Sequence, residues 1–381
     1  MRFGALSQID EEVLFPMKKL FIMSHGLSAN GIDSFVVNIV KGFNREKYDI
    51  SVVLALDEGV RQLREDEVLE AGAKIYRTCD LGSIKRMLIH AKKLYRILKE
   101  HKPDIFHTNM DLLNGINLSI AWLAGVPVRV CHSHTSSSQY EEKKGKHFAV
   151  GIYRFAMKKL CGLFANKKCG CSSNAMEYLY NRNWESKKHT YIVNNGIDTL
   201  KYSKSPRTPY TNGKHTIITV GRLSNTKNPF FALNVIEALY KIRQDFVYIW
   251  VGVGDLLDAV QNMIVEKGLQ ECAFLAGVRN DVEDVLYRCD VFLLPSLFEG
   301  LPIALIEAQA AGLPCVISDT ITREIDCGAC HFESLDEPAS HWAQALSDIM
   351  DGKISYMIDP EKLEKFDTSY TIKQLEATYE E

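Results

Sequence analysis

The sequence predicts an α/β protein built from two doubly wound parallel sheets, each with helices on both faces. Three observations carry this. At 381 residues the chain is long enough for two domains of ordinary size. Short apolar runs alternate with stretches of helical periodicity, once before residue 200 and again after 215, the pattern of crossover units in a parallel sheet. Between them, residues 201–215 hold Pro206, Pro209, Gly213 and several Ser and Thr without apolar periodicity, and read as an interdomain linker.

The apolar run at 20–23 is read as the first strand, followed by a loop at 25–31 containing Gly26 and Gly31. Ile32, Phe35, Val36, Ile39, Val40 and Phe43 then recur at helical spacing. Next come a strand at 50–56, a helix near 60–71, a strand at 74–76, a helix at 84–100, a strand at 104–107, a helix at 114–124 and strands at 128–131 and 191–195. Beyond the linker, strands are expected at 216–220, 246–251, 273–276, 291–294 and 315–317, with helices between them and a last helix over 371–379. The halves share this architecture without an evident internal repeat. Ligands of such sheets sit beyond the carboxyl ends of the strands. That directs attention to the loops at 25–31, 107–111 and 132–138.

Bulk properties narrow the class. Charged (24%) and hydrophobic (46%) fractions are those of a soluble globular protein. The closest approach to a membrane span, 115–131, is broken by Asn117, Ser119 and Arg129 and reads as buried helix and strand. Residues 1–16 carry Asp10, Glu11 and Glu12 with no apolar core, so they read as a disordered extension or upstream start, not a signal peptide. Ten cysteines without an export signal point to reduced thiols in a cytosol. Cys327, Cys330 and His331 match a haem-attachment spacing, but neither export nor a haem pocket is signalled and no second cysteine pair completes a zinc site. The match reads as chance, in a variable loop. Charge is divided: residues 17–205 hold 30 Lys/Arg against 18 Asp/Glu, and 206–381 hold 14 against 27. A basic half beside an acidic half implies different partners for each.

The most informative stretch is 295–314, which reads as a strand end, a tight loop and a short helix. Pro302 suits a helix start, Gly312 a helix stop, and Pro314 prevents the helix from resuming. Glu299 lies in the loop and Glu307 in the helix, whose N-terminus behind Gly300 offers free N–H groups to an anion. A second element, Gly221-Arg222-Leu223-Ser224-Asn225-Thr226-Lys227-Asn228-Pro229, directly follows a strand and places two cations around a small polar loop. Arg offers a planar fork for phosphate and Lys a point charge. Val251-Gly252-Val253-Gly254-Asp255 also follows a strand, but Leu257 stands where a dinucleotide fingerprint needs its third glycine.

Glu299 and Glu307, inside Phe-Glu-Gly-Leu-Pro and followed by Ala-Gly-Leu-Pro, together with the Arg222–Lys227 element, resemble the signature of glycosyltransferase family 4 over about residues 17–381. The resemblance implies a GT-B fold and a retaining, metal-independent hexosyltransferase. The domains would be an acceptor-side Rossmann-like unit at 17–205, a nucleotide-sugar unit at 206–365 and a C-terminal helix at 366–381 crossing back to the first, with a hinge near 195–215. Arg222 and Lys227 would hold the diphosphate and stabilise charge on departure. Glu307 would accept from the ribose hydroxyls, and Glu299 would contact the transferred sugar. The N–H groups of Gly300 and Leu301 would add to the donor site, and Val278 and Arg279 would line the nucleobase. Where the family carries a Gly-Gly pair this chain has Asn30-Gly31, so the turn is kept but close backbone approach at Asn30 is not assured. His132 and His134 alternate to one face if their strand continues; one of them would reach the donor sugar from across the cleft, His134 being favoured.

No cofactor or metal is expected: there is no Asp-x-Asp, and the cations serve the diphosphate. Residues 143–168 interleave Lys143, Lys144, Lys146, Arg154, Lys158, Lys159, Lys167 and Lys168 with apolar side chains. This suits either a helix on an anionic membrane or a core helix with a solvated basic face; the basic half favours the former. The reading is transfer from a nucleotide-diphosphate sugar, most commonly a UDP-sugar, to a saccharide or polyprenyl-linked acceptor in bacterial capsule, exopolysaccharide or O-antigen assembly. It places the protein in the cytoplasm, peripheral at the inner membrane face, with no nucleic acid partner. The rivals are a nucleotide-sugar epimerase of the same architecture and a non-catalytic partner that keeps the fold.

Overall fold

A computed structural model describes residues 16–28, 31–135, 148–202 and 213–381. Among them, the first sheet comprises β1 (Lys18–Ser24), β2 (Tyr48–Leu54), β3 (Lys74–Arg77), β4 (Ile105–Thr108), β5 (Val128–Ser133), β6 (Lys167–Gly170) and β7 (Thr190–Ile192), in the order β3-β2-β1-β4-β5-β6-β7. The second comprises β8 (His215–Val220), β9 (Phe246–Val251), β10 (Ala273–Gly277), β11 (Val291–Leu294), β12 (Cys315–Ser318) and β13 (Cys330–Glu333), in the order β10-β9-β8-β11-β12-β13. All pairings between these strands are parallel. Strand order reverses beside β1 and again beside β8, so each domain opens a crevice there, beyond its strand ends. The central strands are apolar without alternation because helices cover both faces. Leu20, Phe21, Ile22 and Met23 are all buried.

The first domain carries α1 (Gly31–Gly42), α2 (Glu65–Glu70), α3 (Ile84–His101), α4 (Asn114–Ala124), α5 (Phe148–Phe164) and α6 (Ser173–Tyr180). The second carries α7 (Pro229–Ile242), α8 (Leu257–Glu266), α9 (Val282–Tyr287), α10 (Ile303–Ala310), α11 (Ala339–Met350) and α12 (Pro360–Glu364). Local chemistry sets several starts: Pro229 occupies the first turn of α7, and the Ser83 and Ser172 hydroxyls accept from the N–H groups of Arg86 and Ala175. The last helix, α13 (Thr368–Glu380), starts at Asp367, whose carboxylate accepts from Ser369 N at 2.8 Å. It packs on the first domain, burying Ile372 and Leu375 in that core. The two chain crossings are tied together where Ile197 N donates to Phe366 O and Thr368 N to Ile197 O, both at 2.8 Å. A core of the second domain, with Phe292, Leu305 and Ile317, also takes in Cys171, Ala175, Ile197 and Tyr202 from the first.

The structure corrects several sequence readings. Two strands were not foreseen, β6 and β13. β6 is made of Lys167 and Lys168 with Cys169 and Gly170, a polar start that hides a strand whose Lys167 is nonetheless buried. The basic stretch is therefore not one helix: α5 ends at Phe164, and Lys143, Lys144 and Lys146 lie outside the described residues. The stretch read as a variable loop at Cys327–His331 instead runs into β13, where Cys330 stands opposite Cys315. The helix near 60–71 shortens to α2 because Gln62 and Arg64 turn inward, Gln62 Oε1 accepting from Leu27 N and Arg64 N donating to Leu27 O. Residues 1–15, most of the proposed extension, lie outside the described residues, as does 203–212 of the linker.

Candidate active site

A cleft of about 700 Å³ lies between the crevices of the two domains. Its volume is within the range of small-molecule sites. The second domain supplies most of it, including Gly221, Arg222, Lys227, Gly252, Gly254, Val278, Arg279, Glu299, Leu301 and Glu307. The first domain contributes Ser28, Gly31 and Ser34. Of the candidates drawn from sequence, nearly all those after residue 220 thus meet in one place, although they come from the loops after β8, β9, β10 and β11.

Lys227 Nζ donates to Glu299 Oε1 at 2.6 Å, with side chains only 16% and 12% exposed. Ser296 Oγ donates to the same oxygen at 2.7 Å. Arg222 extends into solvent and pairs with Asp255 through Nη2, at 2.9 and 3.0 Å. This second pair is exposed on both sides, so it is worth little and can be displaced. The Arg222 loop is set by contact with the turn after β9. An ideal Cβ on Gly252 (φ 131°) would stand 2.2 Å from Gly221 O, and one on Gly254 2.2 Å from Leu223 O. Only glycine permits that backbone approach.

α10 begins directly after Pro302 with no side-chain cap, and Ile303 and Ala304 line the cleft at its open end. Among the described residues, no protein group accepts from the N–H of Gly300 or Leu301, while Gly300 O accepts from Ser172 Oγ of the first domain at 3.1 Å. Free N–H groups at a helix start favour an anion. Gly31 opens α1 across the cleft, its ideal Cβ position 3.5 Å from Ile303 Cδ1; Asn30 lies outside the described residues. Asp33 fixes that turn by accepting from Ser28 N and Oγ, both at 2.7 Å. Val278 presents an exposed apolar side chain, and Arg279 beside it forms a two-bond pair with Asp281 at 2.8 and 2.5 Å. Glu307, one turn into α10, accepts from Tyr202 OH at 2.8 Å, and burial pushes its carboxyl above the usual range.

His132 and His134 do not join this cleft. They do share one face of β5 and its extension, with rings stacked at 4.2 Å, but that face is covered by Phe35 of α1. Their relative exposures are 0% and 7%. His132 Nε2 faces the carbonyl of Val193 at 3.2 Å and must donate. Its Nδ1 therefore accepts from His107 Nε2, at 3.1 Å, and His107 Nδ1 accepts from Tyr379 OH at 2.8 Å. Burial supports the neutral forms this chain requires, pushing His107 down to about 3 and His132 well below its ordinary value. The ring nitrogens of His134 are taken by Asn109 and Asn195, each at 2.9 Å. Both histidines thus pack between β4 and Phe35 of α1.

Sequence reading missed Tyr202, Asp255 and Ser172. Tyr202 sat in apparent linker and Ser172 in an unremarked loop. Asp255 had a signal, as the polar end of the Gly252–Gly254 turn.

A model of the group 1 glycosyl transferases matches residues 214–351, and a model of glycosyltransferase family 4 matches residues 29–201. The Escherichia coli UDP-Gal:alpha-D-GlcNAc-diphosphoundecaprenol alpha-1,3-galactosyltransferase is 31% identical over 246 residues, covering 59% of this chain and 60% of its own. The Staphylococcus aureus capsular polysaccharide biosynthesis glycosyltransferase CapH is 26% identical over 372 residues, covering 95% and 98%. The crystal structure of Anabaena Alr3699/HepE in complex with UDP has the same fold, with a TM-score of 0.76 at 17% identity over 96% of this chain and 100% of that one. With a matched model in each half and two facing parallel-sheet domains, the chain belongs to glycosyltransferase family 4 and has the GT-B fold.

Proposed function

We propose that the chain transfers a hexose from a UDP-sugar to a lipid-linked saccharide, with retention of configuration and without a metal, in assembly of a bacterial surface polysaccharide. The observation that carries this is the meeting of Arg222, Lys227, the open start of α10 and Glu307 in one cleft. Two cations and a helix start suit a diphosphate, and a carboxylate in the same cleft suits a ribose. In this reading the diphosphate displaces Asp255 from Arg222 and shares Lys227 with Glu299, which is left beside the transferred sugar. The departing phosphate takes the acceptor proton, so no separate base is called for. The acceptor class follows the diphosphoundecaprenol substrate named for the Escherichia coli relative, and the pathway class follows CapH.

The first test is thermal stability of the purified protein with UDP, GDP and ADP. At about 100 times its dissociation constant a ligand stabilises the fold by about 2.7 kcal/mol. UDP is expected to raise the melting temperature, and transfer from UDP-sugars to persist in chelator, with an α-configured product from an α-donor by NMR. Absence of any nucleotide effect, with direct titration also blank, would overturn the donor site. Release of UDP that depends on acceptor separates transfer from epimerisation.

A lipid-linked acceptor would bring the first domain to a membrane surface in this reading. No helix of the described residues is long and apolar enough to cross one. Adjacent helices α3, α4 and α5 expose Leu88 (69%), Trp122, Leu123, Phe155 (64%) and Leu163 (73%). Lys85, Lys92, Lys99 and Lys159 are exposed on the same helices, with Lys159 Nζ 5.4 Å from the Phe155 ring centre. Apolar and cationic groups on one face suit anionic lipid. Sedimentation with phosphatidylglycerol vesicles is expected, weakening with salt and falling at least tenfold in Phe155→Asp/Leu163→Asp; equal binding to zwitterionic vesicles, or none, would remove this part.

A further inference from the structure

Glu307 is held from outside its own domain. Tyr202 ends a short turn (Thr199–Tyr202) on the chain leaving the first domain, and it is buried. Its hydroxyl donates to Glu307 Oε1 at 2.8 Å. Behind it, Thr199 N and Oγ1 both donate to Asp367 Oδ2, at 3.2 and 2.7 Å, and Asp367 also caps α13. Ile197 bonds to both Phe366 and Thr368. The two chain crossings thus form one hydrogen-bonded unit, and Tyr202 is where that unit touches the cleft.

We propose that Tyr202 is a positioning residue that fixes Glu307 for the donor ribose and so ties nucleotide recognition to the hinge between the domains. The inference rests on the donor-site reading above. A phenylalanine would fill the same apolar space, so packing does not require the hydroxyl. A phenol on a carboxylate is a charge-assisted bond, strongest when the acceptor is ionised. Ionised Glu307 has only acceptors to offer, which is what the two ribose hydroxyls need. With Tyr202 on one oxygen, the carboxylate is held in one orientation while still lining the cleft. The groups facing it are Tyr202, Glu283 on α9 and Arg64 from the first domain. Burial and Glu283 favour its protonated form, whereas Tyr202 and Arg64 oppose this. Removing the hydroxyl therefore shifts the balance towards the protonated form, and nucleotide binding should fail at a higher pH than in the wild type.

The test is calorimetric titration of the full chain with UDP and with 2′,3′-dideoxyuridine diphosphate, in wild type and Tyr202→Phe, over a range of pH from weakly acidic to neutral. Tyr202→Phe is expected to melt near the wild type, to bind UDP about tenfold more weakly, to discriminate less between the two nucleotides, and to lose binding at a higher pH. In a Glu307→Ala background, which leaves no oxygen for the hydroxyl to hold, the same substitution should add nothing. Wild-type affinity, discrimination and pH limb in Tyr202→Phe would overturn the proposal and leave Tyr202 a packing residue. A wild-type protein that binds neither nucleotide would instead remove the donor site itself, an outcome seen without any variant.

Discussion

Replacing Lys227 by alanine is expected to lower turnover by about 100- to 1,000-fold, the scale on which a preorganised group facing developing charge contributes. Lys227 is the better placed of the two cations: its ammonium is nearly buried and fixed by Glu299, whereas Arg222 reaches into solvent towards Asp255. A buried charge acts in a lower dielectric and needs no reorganisation when the leaving diphosphate gains charge. The substitution also takes the cation from Glu299; breaking a buried pair costs about 3–5 kcal/mol, an upper bound here because both side chains keep some solvent access. The two effects separate in the double variant Lys227→Ala/Glu299→Ala. Its melting temperature should recover towards the wild type while turnover stays low, measured by steady-state kinetics with saturating donor. A double variant that regains turnover would show that Lys227 matters only as a partner for Glu299.

Glu307→Gln should separate stability from binding. Burial raises the Glu307 carboxyl above its unfolded value. The native state then holds more protons than the unfolded state between the two values, so stability falls as pH rises through that window and stays lower above it. Glutamine removes the buried charge and keeps an oxygen for the Tyr202 hydroxyl. The ligand-free variant is expected to melt at or above the wild-type temperature at neutral pH, with the difference vanishing in acid. UDP affinity should fall by about 100-fold, since two hydrogen bonds to an ionised group are each worth about tenfold or more. A less stable ligand-free variant, or UDP affinity within about threefold of wild type, would contradict the assignment of Glu307 to the ribose.

Much of the architecture was legible because its signals are local. Pro229 and Pro302 stand at or beside helix starts, Gly312 takes a positive φ of 73° after α10, and central strands are continuous apolar runs. The strands that escaped, β6 and β13, are of mixed polarity and carry no continuous apolar run; β6 lies one in from the edge of its sheet and β13 at the edge of the other. Histidine alternation on β5 was readable, but what covered that face was not: Phe35 arrives from another element about 100 residues earlier.

The sequence by itself determined the family, the two-domain plan and the four residues Arg222, Lys227, Glu299 and Glu307 that meet in the cleft. These follow from short motifs in which residue type, spacing and loop geometry are fixed together. Only the tertiary structure decided which charges neutralise one another, that His132 and His134 face inward, and that Tyr202 reaches Glu307 across 105 positions. Those outcomes depend on contacts between distant elements, and no local spacing encodes which side chain a folded neighbour will bring.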